Sequence, residues 1–391
     1  MKLYLHFLLR LSFRLKEYTI VFAVLLIFLT GSISAQSTFS FMHNGINRTY
    51  ILYLPQSAST EAMPLMLALH GFTQNGQTMM GLSGFNALAE EHQFVVAYPY
   101  GVNTSWNVGV AGGSGVDDVG FLLALIDTIA TKANIDQSRV YASGFSNGGF
   151  MSYRLACEAS HRIAAIAPVA GTMVNATYNA CFPTRPMPLI HIHGTSDFIV
   201  PYNGSTTFQS VDVSVEYWTT GNNCPTQPEV FQYPDLVADN STVEAYVYGL
   251  CNEGVEVRLL KINNGGHTWP GSSASGGIGI TNMDISASAE IWDFVSRFSV
   301  FGPVGQPLEP QQNDLLIYPN PLQQDGGLSL SFPIEEAQLQ IVDLSGRILF
   351  QKQLVFDAGR ASLTRLPLQK GVYFLRLTAS KNRMVKKLIV E

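Results

Sequence analysis

Apolar residues fall along this chain in two rhythms. Through most of it they come as short, nearly unbroken runs: Leu65-Met66-Leu67-Ala68-Leu69, Phe94-Val95-Val96-Ala97-Tyr98, Val140-Tyr141-Ala142, then residues 163–169, 189–193 and 255–262. Runs this short, bounded by glycine, proline or polar turns, predict strands buried on both faces. Residues 50–54 predict an earlier strand, and 243–248 a further one. Between the runs lie stretches with helical spacing. Leu122, Leu125, Ile126 and Ile129 form one, with Asp117 or Asp118 placed to cap its start. Others are the segment after Ser146, residues 211–219, and a closing helix over 286–298 with Ile291, Trp292, Val295 and Phe298 on one side. This alternation predicts the α/β class, with a mostly parallel, doubly wound sheet covered on both faces. Past residue 314 the rhythm changes to strict alternation, as in Leu328-Ser329-Leu330-Ser331-Phe332 and Gln338-Leu339-Gln340-Ile341-Val342. That period of two predicts a small all-β sandwich. A proline-, glycine- and glutamine-rich stretch separates the parts, so the expected boundaries are 36–300, a linker at 301–313, and 314–391.

Composition narrows the picture. The 391 residues are 47% hydrophobic and 13% charged, which suits a globular protein with a large core. A net charge of -6 leaves no basic excess to neutralise phosphates, so a nucleic-acid partner is excluded. The clustered basic residues Lys2, Arg10, Arg14 and Lys16 precede an apolar run at 19–29 that ends in small residues at 31–35. This is the pattern of a secretory signal over 1–35, cleaved after Ala35. The run is too short for a stable membrane span, and no cysteine follows it to carry a lipid. Export places the four cysteines in an oxidising compartment. Neighbour pairing, Cys157–Cys181 and Cys224–Cys251, is the simplest of the three connectivities. None of their spacings is that of a zinc site, and no motif calls for a metal or cofactor.

The chemistry gathers at Gly144-Phe145-Ser146-Asn147-Gly148, where a predicted strand gives way to a predicted helix. A Gly-x-Ser-x-Gly turn lifts a serine hydroxyl clear of the backbone. Serine needs an imidazole base, and the base needs an acid to fix its tautomer. His267 lies in a glycine-rich loop after the last strong strand, and Asp197 in the turn after the 189–193 run. The order Ser146, Asp197, His267 differs from that of the chymotrypsin and subtilisin types. Asp117 and Asp118 compete for the acid but read as a helix start. The oxyanion donors are expected at the backbone N–H groups of Asn147 and Phe72, with His70 shaping the backbone beside them. Trp106, Phe145 and Trp269 are candidates to line an apolar acyl pocket. A metal reading of His191-x-His193 with Asp197 lacks a third ligand at motif spacing.

With these residues in hand, the region from about 41 to 298 resembles the secreted poly(3-hydroxybutyrate) depolymerase and feruloyl esterase group of α/β-hydrolases. The matching segments are His70-Gly71-Phe72, Val116-Asp117-Asp118-Val119-Gly120-Phe121, Gly144 to Gly149, His193-Gly194-Thr195-Ser196-Asp197, Val200-Pro201-Tyr202-Asn203-Gly204 and Gly265 to Gly271. The resemblance implies an α/β-hydrolase fold and serine carboxylesterase activity, with Ser146, Asp197 and His267 as the triad. It implies a polyester or plant cell-wall ester as substrate, with acetylated xylan or a peptide as alternatives. The other alternative is a catalytically silent binding surface. The tail, through Tyr318-Pro319-Asn320-Pro321, Asp343-Leu344-Ser345-Gly346-Arg347, Gly371-Val372-Tyr373-Phe374-Leu375-Arg376 and Lys387-Leu388-Ile389-Val390, resembles the type IX secretion sorting domain. That implies the type IX machinery as partner and an extracellular or cell-surface location. A small adhesion or carbohydrate-binding sandwich is the alternative for the tail.

Overall fold

The computed structural model describes residues 36–391 apart from 57–60, 111–112, 275–276, 305–315 and short intervals of the tail (319–321, 323–327, 332–335, 344–346, 357–359, 364, 380–381 and 391). The expected signal at 1–35, most of the expected linker, and parts of the Tyr318–Pro321 and Asp343–Arg347 motifs lie outside the described residues. Two compact units are present, Met1–Val304 and Gly305–Glu391.

The first unit is built on one ten-stranded sheet. In chain order its strands are β1 (Gln36–His43), β2 (Ile46–Tyr53), β3 (Met63–Leu69), β4 (Val95–Pro99), β5 (Ile135–Phe145), β6 (Ala165–Val169), β7 (Leu189–Gly194), β8 (Glu229–Gln232), β9 (Thr242–Tyr248) and β10 (Val257–Asn263). Their spatial order is β1-β2-β4-β3-β5-β6-β7-β10-β9-β8. The six strands from β4 to β10 run parallel, and antiparallel hairpins close both edges. All seven residues of β3 are buried, as its unbroken apolar run requires of a strand covered on both sides.

Side chains of a strand alternate between faces, and β3 divides accordingly. Leu65, Leu67 and Leu69 enter one core cluster, and Met66 and Ala68 the other. The first is covered by α3 (Asp118–Ala130), α4 (Asn147–Glu158) and α6 (Val211–Gly221), through residues such as Leu125, Leu155 and Trp218. The second is covered by α1 (Gly76–Ser83), α2 (Phe85–His92) and α7 (Ala287–Val295), through Met79, Phe85 and Phe294. The short helix α5 (Asn175–Asn179) precedes Cys181. Both neighbour disulfides form, Cys157–Cys181 and Cys224–Cys251.

Besides α1, α2 and β8, which the sequence reading did not name, three details differ from it. The sheet has an additional edge strand, β1, whose polar alternation gives it no buried run of its own. Helix α7 stops at Val295, and Phe298 instead belongs to β11 (Phe298–Ser299), which pairs with β12 (Gly302–Pro303). Residues 301–304 are therefore part of the first unit and not the start of a linker. A two-residue hairpin leaves too little periodicity to be read from sequence.

The second unit is all-β. Its three-stranded sheet is β13 (Leu316–Tyr318), β14 (Leu328–Ser331) and β17 (Arg360–Leu363). Its four-stranded sheet orders β16 (Ile348–Val355), β15 (Glu336–Val342), β18 (Gly371–Ala379) and β19 (Asn382–Val390). All pairs are antiparallel. Leu328, Leu330 and Leu363 from one sheet share a single core with Leu339, Leu375 and Leu388 from the other, so the two sheets form a sandwich.

Candidate active site

Parallel α/β sheets present their functional groups at the carboxyl ends of the strands. Here β3 ends one residue before His70, β5 one residue before Ser146, β7 at Gly194 three residues before Asp197, and β10 four residues before His267. Strands β3 and β5 are neighbours, as are β7 and β10, with β6 between the two pairs. Four segments far apart in sequence thus meet along one edge of the sheet.

Ser146 sits between β5 and α4 with φ 55° and ψ −114°. A non-glycine residue holds such a backbone only where its surroundings over-determine it. The surroundings do so by close approach. A Cβ at Gly144 would stand 2.2 Å from the Gly148 carbonyl oxygen, and one at Gly148 2.1 Å from that of Leu69. Helix α4 therefore starts pressed against the ends of β5 and β3, and only glycine fits at both positions.

His267 and Asp197 are joined by a hydrogen bond of 2.7 Å from Nδ1 to Oδ2. The other carboxylate oxygen, Oδ1, accepts the backbone N–H groups of Ile199 (2.9 Å) and Val200 (2.8 Å). His193 approaches Oδ2 with Nε2 at 3.3 Å. Burial alone would raise the Asp197 carboxyl, but the hydrogen bonds from His193 and His267 outweigh it and hold it well below the usual carboxylate range. The imidazole of His267 packs 4.8 Å, centroid to centroid, from the ring of Phe145. No hydrogen bond joins Ser146 Oγ to the His267 imidazole within 3.5 Å, a looseness common before substrate tightens a catalytic bond.

Among the described residues, neither the Phe72 nor the Asn147 N–H has an acceptor in the protein. Asn147 is the first residue of α4, where an N–H has no intrahelical partner. The turn carrying Phe72 is fixed on both sides: Gly71 N–H donates to Gln74 Oε1 at 3.0 Å, and Thr73 N–H to the Thr104 carbonyl at 2.9 Å. His70 secures it from beneath. Its Nδ1 donates to the Gly71 carbonyl at 2.7 Å and its Nε2 accepts Gly101 N–H at 2.9 Å. This arrangement needs the neutral ring, and burial pushes His70 down to about 4.

The expected acyl-pocket residues are elsewhere. Trp106 is wholly buried, donating Nε1 to the His70 carbonyl and its backbone N–H to Asn147 Oδ1. Phe145 lies in the core beneath His267. Trp269 is buried edge-on against Phe85, with Nε1 donating to Ser288 Oγ. Trp106 and Phe145 brace the site from the core, and Trp269 borders a shallow pocket shared with Gly84, Pro270 and Ser286. Aromatic residues in polar loops read as exposed, and only tertiary packing encloses them. The exposed apolar side chains near the site are instead Phe72, Phe198, Ile199 and Ile278, between 43% and 64% accessible. Two of them follow Asp197 directly, and Ile278 pairs by backbone with His267.

Sequence reading also missed the groups behind the site. Asp118 is fully buried, paired at 2.6 Å with Arg48 and accepting Asn107 N–H and Ser114 Oγ. It locks the loop carrying Trp106, while Asp117 caps α3 through Gly120 N–H. His191 and His193 are bonded to each other, and His191 to Tyr153. The alternation of His191 and His193 was the available signal for this, but nothing local named Tyr153 as their partner.

Residues 48–202 match the family described as esterase PHB depolymerase, and residues 316–391 the secretion system C-terminal sorting domain. A bifunctional acetylxylan esterase/xylanase of Neocallimastix patriciarum is 33% identical over 263 residues, 66% of this chain and 35% of that protein. Feruloyl esterase B of Piromyces equi is 30% identical over 255 residues, 61% of this chain and 43% of that protein. The chain thus spans less than half the length of these two curated relatives. Among solved structures, the acetyl xylan esterase from Aspergillus awamori aligns over 66% of this chain and 99% of its own, at 15% identity and a TM-score of 0.47. Residues 48–202 of the first unit thus carry an esterase PHB depolymerase domain whose relatives include acetylxylan and feruloyl esterases, and residues 316–391 carry a secretion-system C-terminal sorting domain.

Proposed function

We propose that the first unit is a serine carboxylesterase working through an acyl-enzyme, with Ser146 as nucleophile, His267 as general base and Asp197 as the orienting acid. The observation that carries this reading is the buried Asp197–His267 pair at 2.7 Å, on the sheet edge that also holds the strained Ser146 turn. Asp197 holds a hydrogen on Nδ1 of His267, which leaves Nε2 as the basic nitrogen. As Ser146 Oγ bonds to the ester carbonyl carbon, Nε2 takes its proton. The carbonyl oxygen becomes an oxyanion that accepts the Phe72 and Asn147 N–H groups. The intermediate collapses with cleavage of the C–O bond, and His267 returns the proton to the departing alcohol. Water then attacks the acyl-serine by the same route, releasing the acid and restoring Ser146.

Substrate class follows from the rim. Phe72, Phe198, Ile199 and Ile278, tied to the site by sequence adjacency or by the backbone bridge to His267, present exposed apolar surface, which favours an ester whose acyl part or polymer backbone is apolar. Polyester and hydroxycinnamoyl esters of plant cell walls meet that description better than acetyl groups do. The relatives include acetylxylan and feruloyl esterases, so acetylated xylan is the comparison to run. Initial rates on hydroxybutyrate oligomers, methyl ferulate and acetylated xylan test it: faster turnover of acetylated xylan would reject the apolar reading. The sorting domain supports export to the cell surface or beyond through the type IX machinery, in keeping with two disulfides.

A further inference from the structure

Behind Asp197 runs a buried chain of side chains that the reaction as written does not use. Tyr153 Oη lies 2.7 Å from His191 Nδ1, and His191 Nε2 lies 3.2 Å from His193 Nδ1. His193 Nε2 then reaches the Val200 carbonyl at 2.8 Å and Asp197 Oδ2 at 3.3 Å. The two imidazoles are nearly parallel, with ring centroids 5.3 Å apart. Tyr153, His191 and His193 are all at or below 1% accessible.

The direction of each bond can be worked out from one end. Val200 O and the Asp197 carboxylate can only accept, so His193 Nε2 carries a hydrogen. A neutral His193 therefore offers Nδ1 as an acceptor, and His191 Nε2–H must donate to it. That leaves His191 Nδ1 as an acceptor, to which the Tyr153 hydroxyl donates. Every donor has an acceptor with both imidazoles uncharged, as burial demands. His191 is indeed pushed well below the ordinary histidine range, by burial first and by its histidine neighbour second. The remaining titratable neighbour is Tyr202, whose ring meets His193 edge-on at 6.0 Å and whose hydroxyl bonds to Asp212.

We propose that His193 is a positioning residue for the candidate acid, its tautomer fixed through His191 by the Tyr153 hydroxyl. Its Nε2–H, which donates to the Val200 carbonyl at 2.8 Å, also faces the oxygen that accepts His267, at 3.3 Å, so Asp197 Oδ2 meets a polarised hydrogen from a second side. The charge on that oxygen is thereby shared, which limits how tightly it grips the proton on His267 Nδ1. This inference rests on the triad reading above.

The test compares full-length His193→Leu, which removes the donor, with His193→Gln, which keeps an N–H at that end. With an aryl ester, His193→Leu should lower kcat by roughly 10- to 100-fold with KM changed by less than about twofold. Losing a donor raises the proton affinity of the Asp197–His267 pair, so the acid limb of kcat/KM should move up by about one pH unit. His193→Gln should recover most of both. Independently of turnover, the downfield proton resonance of His267 Nδ1–H should shift in His193→Leu and return toward the native position in His193→Gln. Should His193→Leu fail to fold, Tyr153→Phe removes only the distal hydroxyl and should shift the same resonance in the same sense. Coincidence of the pH limb and the resonance with wild type in the folded variants would overturn the proposal. A wild-type chain without esterase activity would refute the triad reading alone, because the resonance still reports on the bond chain.

Discussion

Ser146 spends backbone energy to expose its hydroxyl, since a left-handed serine costs on the order of 1–3 kcal/mol and stays only because Gly144 and Gly148 let strand and helix close on it. The three triad candidates were legible because each follows an apolar strand in an order that one class of fold uses. Of the Tyr153–His191–His193 chain only the histidine alternation was, since the bond from Tyr153 links α4 to β7 and leaves no trace at any local spacing. Replacing Asp197 by Asn removes the charge and allows the wrong tautomer of His267, so kcat should fall by roughly 10⁴-fold with the fold intact; steady-state kinetics with circular dichroism check this. His70 gives a pH prediction. Its folded value of about 4 lies below the ordinary 6.5, so between these pH values the unfolded chain takes up a proton that the folded chain refuses. Its stabilisation is complete above pH 6.5 and drains away toward pH 4, by roughly 3 kcal/mol. Asp197 loses its own contribution only at lower pH, below the ordinary carboxylate range. Urea unfolding at pH 7.0 and pH 4.5 should show the His70 loss, and His70→Asn should flatten it.

At the scale of elements, the buried strands were readable because a strand covered on both faces needs an unbroken apolar run. The hairpin strands β1, β11 and β12 were not, since partners and not their own residues define them. The closest packing in the site is that of α4 on β3. An added Cβ at Gly148 would meet the Leu69 and His70 carbonyl oxygens at 2.1 and 2.8 Å, and backbone at the end of a central strand cannot yield cheaply. Overpacking of this kind costs about 1–3 kcal/mol or more. Gly148→Ala should therefore lower the thermal midpoint by roughly 3–10 °C and reduce kcat far more than an alanine elsewhere in α4, as calorimetry and rate assays would show.

At the scale of the molecule, each unit has its own core: two clusters flank the large sheet and a third fills the sandwich. A chain ending at Val304 should then keep its thermal midpoint and hydrolytic rate, while losing delivery to the cell surface. Reduction should be costly for the first unit, whose disulfides close loops of 24 and 27 residues, each worth about 3–4 kcal/mol by chain entropy. The account as a whole stands on Ser146. Intact-mass analysis after exposure to an aryl phosphonate, read beside hydrolysis of an activated aryl ester, tests it most directly. The wild-type chain should gain one covalent adduct, mapped to Ser146, and Ser146→Ala should gain none while its rate falls by roughly 10³-fold or more. An adduct mapped to another residue, or a Ser146→Ala variant hydrolysing at the native rate, would contradict it.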